Sequence, residues 1–487
     1  MKYFYIITLL FLNYIQGNDN SSTLTINTNI RSETIIVIDS QMHIDYGLSY
    51  PITYELTIPP GSYDLRSYRK FQYDQEWSQI SEKTSDDFFN GIEAVRFDYQ
   101  NNIAFVSIGF SDISDSIFIK ITDNESNIVE STYSQMSQYY DNRDAVVTST
   151  ADDWGAWSNP YFVQTCEIFR SFNLWISPAI ITDFLDSNSW SSIQNQLDLG
   201  FVEPVAHSRT HPHTPYENIE SEVLGCKQDL IQNLNMPIYN RYGSNEYIYA
   251  WIAPYGEYSD EIDTAVSDAK YLISRLFYEN QHGFSNWDQS LMKFEPVGAS
   301  IELGGYYYWT GSTDTIELNH TFDDILTYGG IYHLMSHPAI IDWENDVYPW
   351  VHLEHISNRK NIWYVGFGHL YAYHFIQSAY PSINLKSENE NAPVPQIVKL
   401  HQNYPNPFNP KTIISYQLED LAYVNIDIVD LLGQRIKTLT SGYQNSGQST
   451  IGWDATDDFG KIVPGGIYFY RLSVGDVVKT KKMLLLK

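Results

Sequence analysis

Three changes of rhythm divide the chain. From Asn18 to about Tyr140, short apolar runs alternate with turn residues, as in Thr34-Ile35-Ile36-Val37-Ile38, Ile52-Thr53-Tyr54-Glu55-Leu56-Thr57 and Ile103-Ala104-Phe105-Val106-Ser107-Ile108. Such runs, rich in β-branched and aromatic residues, predict strands. Residues 18–140 are therefore expected to form a β-sandwich that binds glycan or spaces the next domain. Between about Asp141 and Ala379, strand-like runs alternate with helix-like segments, the rhythm of an α/β barrel or sheet. A helix start is expected at Thr214-Pro215-Tyr216-Glu217, with Thr214 as N-cap and Ile219, Val223, Leu224, Leu230 and Leu234 on its apolar face. The polar stretch from Pro381 to Pro395, with Lys386-Ser387-Glu388-Asn389-Glu390-Asn391, has the composition of a solvated linker, placed at 381–400. In residues 401–487, Val424, Ile426 and Ile428 alternate with polar neighbours, Gly433 marks a turn, and Ile467-Tyr468-Phe469-Tyr470 follows Pro464-Gly465-Gly466. That pattern predicts a compact antiparallel sandwich.

Composition supports several folded domains. The chain has 487 residues, 43% of them hydrophobic and 18% charged, with 39 Tyr and 12 Trp. Such a length exceeds one ordinary domain, and the apolar fraction argues against disorder. A formal net charge of −30 repels nucleic acid and anionic membranes, so neither is an expected partner. Met1-Lys2, the apolar stretch from Tyr3 to Ile15 and Gln16-Gly17 read as a signal peptide over 1–17, shorter than the ~20 residues a spanning helix needs. No other segment is apolar enough to span. Cys166 and Cys226 are the two cysteines, and their spacing leaves a disulfide or two buried thiols equally open.

The chemistry gathers in the middle domain, where four apolar runs end in polar groups. Val146-Val147-Thr148-Ser149-Thr150 leads to Asp152-Asp153, and Phe201 to Ala206 leads to His207-Ser208-Arg209-Thr210-His211. Tyr247 to Ile252 leads to Pro254-Tyr255, and Ile331 to Ser336 leads to His337. The carboxyl ends of parallel strands share one rim, so these distant segments can meet. Two histidines four apart present both imidazoles on one side of a helical turn, and a carboxylate from another strand completes a three-ligand metal site with room for water.

Taken in order, Thr150-Ala151-Asp152-Asp153, His207-Ser208-Arg209-Thr210-His211 and Ala253-Pro254-Tyr255-Gly256 resemble the polysaccharide deacetylases of carbohydrate esterase family four. The resemblance covers about half the chain, residues 141–380, and implies an irregular (β/α) barrel. By it, Asp153, His207 and His211 would hold a divalent metal, usually zinc. Asp152 would be the general base, His337 the general acid, and the backbone N–H of Tyr255, after Pro254, would stabilise the oxyanion. The family's fourth motif pairs Asp with Trp, for which Trp287-Asp288 is the candidate. One departure stands out. The family carries Arg two residues before the Pro of its third motif, where it charge-pairs the base, and this chain has Ile252. Asp152 is then expected to be less firmly held, with a raised pKa. Arg209 is the alternative cation, though a structural contact suits it better. Thr321-Phe322-Asp323-Asp324 spells the first motif more literally, but it follows the histidine pair and has the form of a capping box, so it is assigned to a helix start. His213, nearest the pair, and His333, His352, His355 and His369 are expected to be structural or surface residues. The Tyr- and Trp-bearing run from Gly304 to Gly311 is a candidate subsite loop.

Asn403-Tyr404-Pro405-Asn406-Pro407-Phe408-Asn409-Pro410, Asp430-Leu431-Leu432-Gly433, Trp453-Asp454 and the final Lys482-Met483-Leu484-Leu485-Leu486-Lys487 resemble the sorting domain of type IX secretion cargo, an Ig-like module. The resemblance implies passage through the type IX machinery of a Gram-negative-type bacterium, to the medium or the outer surface. Asp454, Asp457 and Asp458, with Gly460, are read as turn residues. The expected function is metal-dependent hydrolysis of N-acetyl, or O-acetyl, groups on a polysaccharide. The alternatives are a surface glycan-binding protein with an impaired deacetylase domain, and hydrolysis of a small amide.

Overall fold

The computed structural model describes residues 24–378 and 399–486, apart from 29–31, 39–44, 48, 88–90, 111–115, 278–281, 306–310, 419–421, 432–433, 445–446, 459 and 475–476. The expected signal peptide (1–17), nearly all of the expected linker, the aromatic run 306–310 and the turn at Gly433 lie outside the described residues.

The three amino-terminal runs are strands with the bounds their patterns give: Thr34–Ile38, Ile52–Thr57 and Ile103–Ile108. Two antiparallel sheets form there. One has six strands and contains Thr34–Ile38; the other runs Thr132–Met136, Ile52–Thr57, Ile103–Ile108, Ala94–Asp98. Ile36, Ile52, Tyr54, Leu56, Val106, Ile117 and Ile119 are buried in one cluster that continues into the central domain through Tyr249, Leu272, Phe294, Leu370 and Phe375. Tyrosine hydroxyls cross the same joint: Tyr46 donates to the Met292 carbonyl (2.9 Å), Tyr249 to Gly47 (2.6 Å) and Tyr373 to Ser137 (2.8 Å). A joint built this way is a shared core with its polar tips satisfied.

In the central domain, eight strands form one parallel sheet. In order they are Ile273–Arg275, Ala250–Ile252, Val205–Ala206, Ser177–Ile180, Ala145–Trp154, Ile331–Ser336 and Ile301–Leu303, with Ile362–Tyr364 paired to the start of Ala145–Trp154. Among the described residues the run stays open between its two edge strands, a parallel half-barrel that fits the expected irregular (β/α) barrel. Only an isolated bridge, Arg275 to Val297, extends that edge. Two expected strands are cut short. Pro204 has no amide to continue a ladder before Val205, and Tyr247 donates its amide to the Asn240 carbonyl (2.8 Å) instead of a sheet neighbour. Ala145–Trp154 is longer than expected and runs through both aspartates. Its register with Ser177–Ile180 slips between Ala151 and Trp154, and Asp153 has φ 77°. A bulge of this kind re-aims side chains at the end of a strand.

The helix expected from Thr214 begins later. Thr214 gives its amide (2.7 Å) and hydroxyl (2.9 Å) to Glu257, while Asn218 accepts the Ser221 amide at 3.1 Å, so the cap falls at Asn218. The first turns, Ser221–Gly225, are wound as π-helix before the α-helical Cys226–Asn233. Thr321 to Asp324 lie well inside the helix Thr315–Thr327, whose N-cap is Asp314, so this segment is helical but not a helix start. Cys166 and Cys226 are both free and buried, and burial pushes each thiol up to about 12.

Residues 399–486 form a three-stranded antiparallel sheet (Lys399–Leu400, Thr412–Leu418, Gly447–Trp453) and a four-stranded one (Arg435–Gln444, Ala422–Val429, Gly466–Val474, Val477–Leu485). Val424, Ile426 and Ile428 share a buried core with Ile414, Tyr416, Tyr470 and Met483. Asp457 accepts the Lys461 amide at 2.8 Å around Gly460, which sits at φ 76° as a turn glycine should. No helix among the described residues is long and apolar enough to cross a membrane.

Candidate functional site

Asp153, His207 and His211 come together at the carboxyl ends of their strands, with one ligand atom from each lying within 4.8 Å of the others. Asp153 Oδ1 stands 3.3 Å from His207 Nε2 and 3.2 Å from His211 Nε2, and the two Nε2 atoms are 3.2 Å apart. His207 follows Val205–Ala206 directly, and its Nδ1 lies 2.9 Å from the Ile252 carbonyl oxygen. A carbonyl only accepts, so Nδ1 is the donor there and Nε2 is the ring atom turned toward the cluster. Asp153 Oδ1 is buried without a hydrogen-bond partner. Two imidazole nitrogens and an unsatisfied carboxylate oxygen are a donor set suited to a divalent cation such as zinc. The residues present therefore fit a metal, and the triad can bind one.

The expected helical turn is absent. His207 to His211 is a loop with Ser208 at φ 69° and His211 at φ 54°, and Tyr255, beside it, is at φ 56°. Left-handed backbone costs a non-glycine residue roughly 1–2 kcal/mol, so the loop must be held from outside. Glu222, nearly buried, accepts the amides of Arg209 and Thr210 (2.9 Å each) and the Thr210 hydroxyl (2.7 Å). Asp229 takes Arg209 bidentately at 2.7 Å and the Thr182 hydroxyl at 2.9 Å. A Cβ on Gly225 would meet the Arg209 guanidinium at 2.7 Å, so a larger residue here would displace that side chain. The wide π-turns thus place Glu222 and Gly225 under the histidine loop, and Arg209 is a brace and not the partner of Asp152.

That partner is Arg275. In the parallel pairing of the two strands it stands opposite Ile252, and its Nη2 donates to both carboxylate oxygens of Asp152. Arg275 is 1% exposed and Asp152 5%. Burial pushes the Asp152 carboxyl up, but the Arg275 charge, helped by His207 and His337, outweighs it and holds the group below its ordinary value. The expected rise is thus reversed, because a guanidinium reaches Asp152 from the strand next to that of Ile252.

His337 ends Ile331–Ser336 and places Nε2 4.0 Å from Asp153 Oδ2. Its Nδ1 lies 2.7 Å from Glu302 Oε1, and Glu302 is 1% exposed. Burial pulls the His337 pKa down, but the Glu302 hydrogen bond and the nearby carboxylates raise it overall. Pro254 is buried in a short turn, Pro254–Gly256, and the Tyr255 ring meets His211 edge-on at 4.4 Å. Trp287 and Asp288 are not brought to this cluster. Trp287 packs on Phe294 and Phe375, and Asp288 caps a hairpin turn through Ser290. Asp323 and Asp324 pair instead with His355 and His320. His333 bonds Thr150, His352 bonds Tyr332, and His369 bonds Asn240, all in the interior, while His213 stacks on Tyr255. Arg275, Glu302 and Glu222 were missed in the sequence. The one available signal was that Arg275 and Glu302 are charged residues within apolar strand runs.

Comparison with solved structures finds resemblances of low identity. A putative polysaccharide deacetylase from Mycobacterium smegmatis is 10% identical, covers 53% of this chain and 98% of its own, and has a TM-score of 0.38. A family 4 acetyl xylan esterase from Clostridium thermocellum, in complex with a cobalt ion, is 12% identical over 48% of this chain and 93% of its own (TM-score 0.29). A CE4 family pseudoenzyme from Bacillus anthracis, BA3943, is 13% identical over 49% and 69% (TM-score 0.28). No curated protein matches the chain. Residues 402–486 match the family model of the secretion system C-terminal sorting domain, so the chain ends in a type IX sorting domain and is a secreted or cell-surface protein.

Proposed function

We propose that the central domain is a metal-dependent hydrolase that removes N-acetyl groups, or O-acetyl groups, from a polysaccharide outside the cell. The observation that carries this reading is the convergence of three units from separate strands: the Asp153, His207, His211 triad, the Asp152–Arg275 pair and the His337–Glu302 pair. A divalent ion such as zinc, held by the triad, would polarise an acetyl carbonyl and acidify a water beside it. Asp152, kept ionised by Arg275, accepts a proton from the attacking water. His337, held by Glu302 through Nδ1, presents Nε2 to the leaving nitrogen and gives it a proton as the C–N bond breaks, releasing acetate and a free amine. The Tyr255 amide, in its strained turn, is assigned to the carbonyl oxygen as negative charge develops there. The outer antiparallel sheet pairs are read as β-sandwich domains, the last of them Ig-like.

The alternative of a glycan-binding protein with an impaired site rested on Ile252, and the Arg275–Asp152 pair speaks against it. Acetate release from N-acetylated and O-acetylated oligosaccharides, for wild type and Asp152→Asn, tests the proposal. Metal-dependent release that Asp152→Asn reduces by about 10²-fold or more supports it. Tight glycan binding with no release by the metal-loaded wild type would overturn it.

A further inference from the structure

The outer face of the amino-terminal six-stranded sheet departs from the charge of the rest of the chain. Its strands are Leu24–Thr28, Thr34–Ile38, Ser116–Thr122, Arg66–Phe71 and Ser78–Gln79, with Ile128–Val129 paired to Ser116–Thr122. None of the six contains Asp or Glu, in a chain that has 59 of them. Side chains alternate between the two faces of a strand. Ser67, Phe71, Ile117, Ile119 and Ile121 are buried on the core side, so Arg66, Tyr68, Lys70, Phe118 and Lys120 belong to the outer face, where they are partly exposed. Register brings them together: Tyr68 stands opposite Lys120, and Lys70 opposite Phe118. The Lys120 Nζ lies 4.3 Å from the centre of the Trp77 ring and 5.5 Å from that of Tyr68.

The two faces treat their cations differently. On the core side, Arg69 meets Glu93 at 3.1 Å and Asp74 at 3.5 Å. On the outer side, among the described residues, Arg66 bonds the Asn124 carbonyl (3.3 Å), and neither it nor Lys70 nor Lys120 has a carboxylate within ion-pair distance. Unmatched positive charge gathered on one face of a protein of net charge −30 attracts an anion from outside. The rings narrow the class of anion. An aromatic ring suits the C–H face of a pyranose, and a uronate carries its carboxylate directly on that pyranose, so ring and cation must be met within the width of one sugar. Trp77, Tyr68 and Lys120 satisfy this, whereas an acidic peptide holds its carboxylates on flexible stems and offers no ring face beside them. The sorting domain carries the protein outside the cell, where such polymers are met. At the hairpin tip Gln72 donates to the Ser441 carbonyl of the terminal domain (2.8 Å), which bounds the face there.

We infer that this outer face binds an acidic polysaccharide. A uronate ring packs against Trp77 and Tyr68 with its carboxylate on Lys120, and Arg66 and Lys70 meet the carboxylates of neighbouring sugars. The site lies in a different domain from the Asp153, His207, His211 triad and does not depend on the hydrolase reading.

The test titrates the full-length protein with unacetylated oligogalacturonate, with a neutral cello-oligosaccharide of matched length and with a single-stranded oligonucleotide of matched charge. Oligogalacturonate should bind most tightly, and added salt should weaken it. Trp77→Ala and Lys120→Gln should each reduce its affinity by about tenfold, with Lys70→Gln smaller in the same direction. Both lysine variants keep the length of the side chain, so the sheet is retained. Acetate release from an N-acetylated oligosaccharide should be the same in all three variants as in wild type, and Asp153→Asn should bind oligogalacturonate as wild type does. Equal affinity for the neutral oligosaccharide or the oligonucleotide, or oligogalacturonate binding untouched by Trp77→Ala and Lys120→Gln, overturns the inference. Binding that disappears in Asp153→Asn also overturns it, by placing the ligand at the triad.

Discussion

The two ends of one short strand carry similar residues and opposite chemistry. Glu203 stands just before Val205–Ala206, with His369 near it; His207 stands just after, with Asp152 and His337 near it. At the first end, Glu203 and His369 are both fully buried. The Glu203 Oε2 accepts the Gly368 amide at 2.9 Å, but Oε1 has no hydrogen-bond partner. Desolvation wins there: burial pushes Glu203 up to about 8 and pulls His369 down to about 3, so both are neutral at pH 7. At the second end Asp152 is just as deeply set, yet Arg275 holds its pKa down, and Glu302 and its neighbours hold that of His337 up. A carboxylate near a histidine is therefore no mark of a site by itself. Opposite charge placed against each group, and an opening to solvent, make the difference.

The largest expected effect breaks that contrast at its source. Arg275→Ile leaves Asp152 as a buried charge without a counterion, which should cost about 3–5 kcal/mol of stability and most of the acetate release. Adding Ile252→Arg should restore part of both, since the two positions are opposite in register. Chemical denaturation and acetate assays on the single and double variants check this, and a double variant no better than the single would reject the displaced guanidinium. Glu302→Gln comes next. It removes the anion that holds His337 and should lower kcat by about 10–10²-fold with KM little changed. Glu222→Gln, which loosens the strained histidine loop, should weaken metal affinity by about 10–100-fold, read by titration with zinc. Glu203→Gln should have the smallest effect, and it should depend on pH. A carboxyl whose folded pKa lies above its unfolded value binds an extra proton when folded, so it erodes stability as pH rises from about 4.5 to about 8. The variant should therefore gain Tm over wild type progressively across that window and be indistinguishable from it below pH 4.5.

How much of this was legible follows from where each residue's role is decided. Thr34–Ile38, Ile52–Thr57 and Ile331–Ser336 keep the bounds of their apolar runs, because continuous runs bury themselves whatever surrounds them. Asp153, His207, His211 and His337 were legible because each ends such a run. Arg275 was not: its pairing with Asp152 depends on which strands are neighbours and in what register, and neither is written locally. Glu222 escaped for a similar reason, since a π-turn and not the regular helix expected from Thr214 aims it. The helical turn inferred from the spacing of His207 and His211 was wrong in form, yet a loop with two left-handed residues brings the same nitrogens together.

Metal content measured alongside turnover tests the account most directly. Wild type, Asp153→Asn, His211→Ala and Asp323→Asn would be loaded with zinc, dialysed and assayed for bound ion and for acetate released from an N-acetylated oligosaccharide. Wild type and Asp323→Asn should bind a single ion and release acetate, and Asp153→Asn and His211→Ala should lose both. Acetate release that persists in Asp153→Asn without bound metal would contradict it.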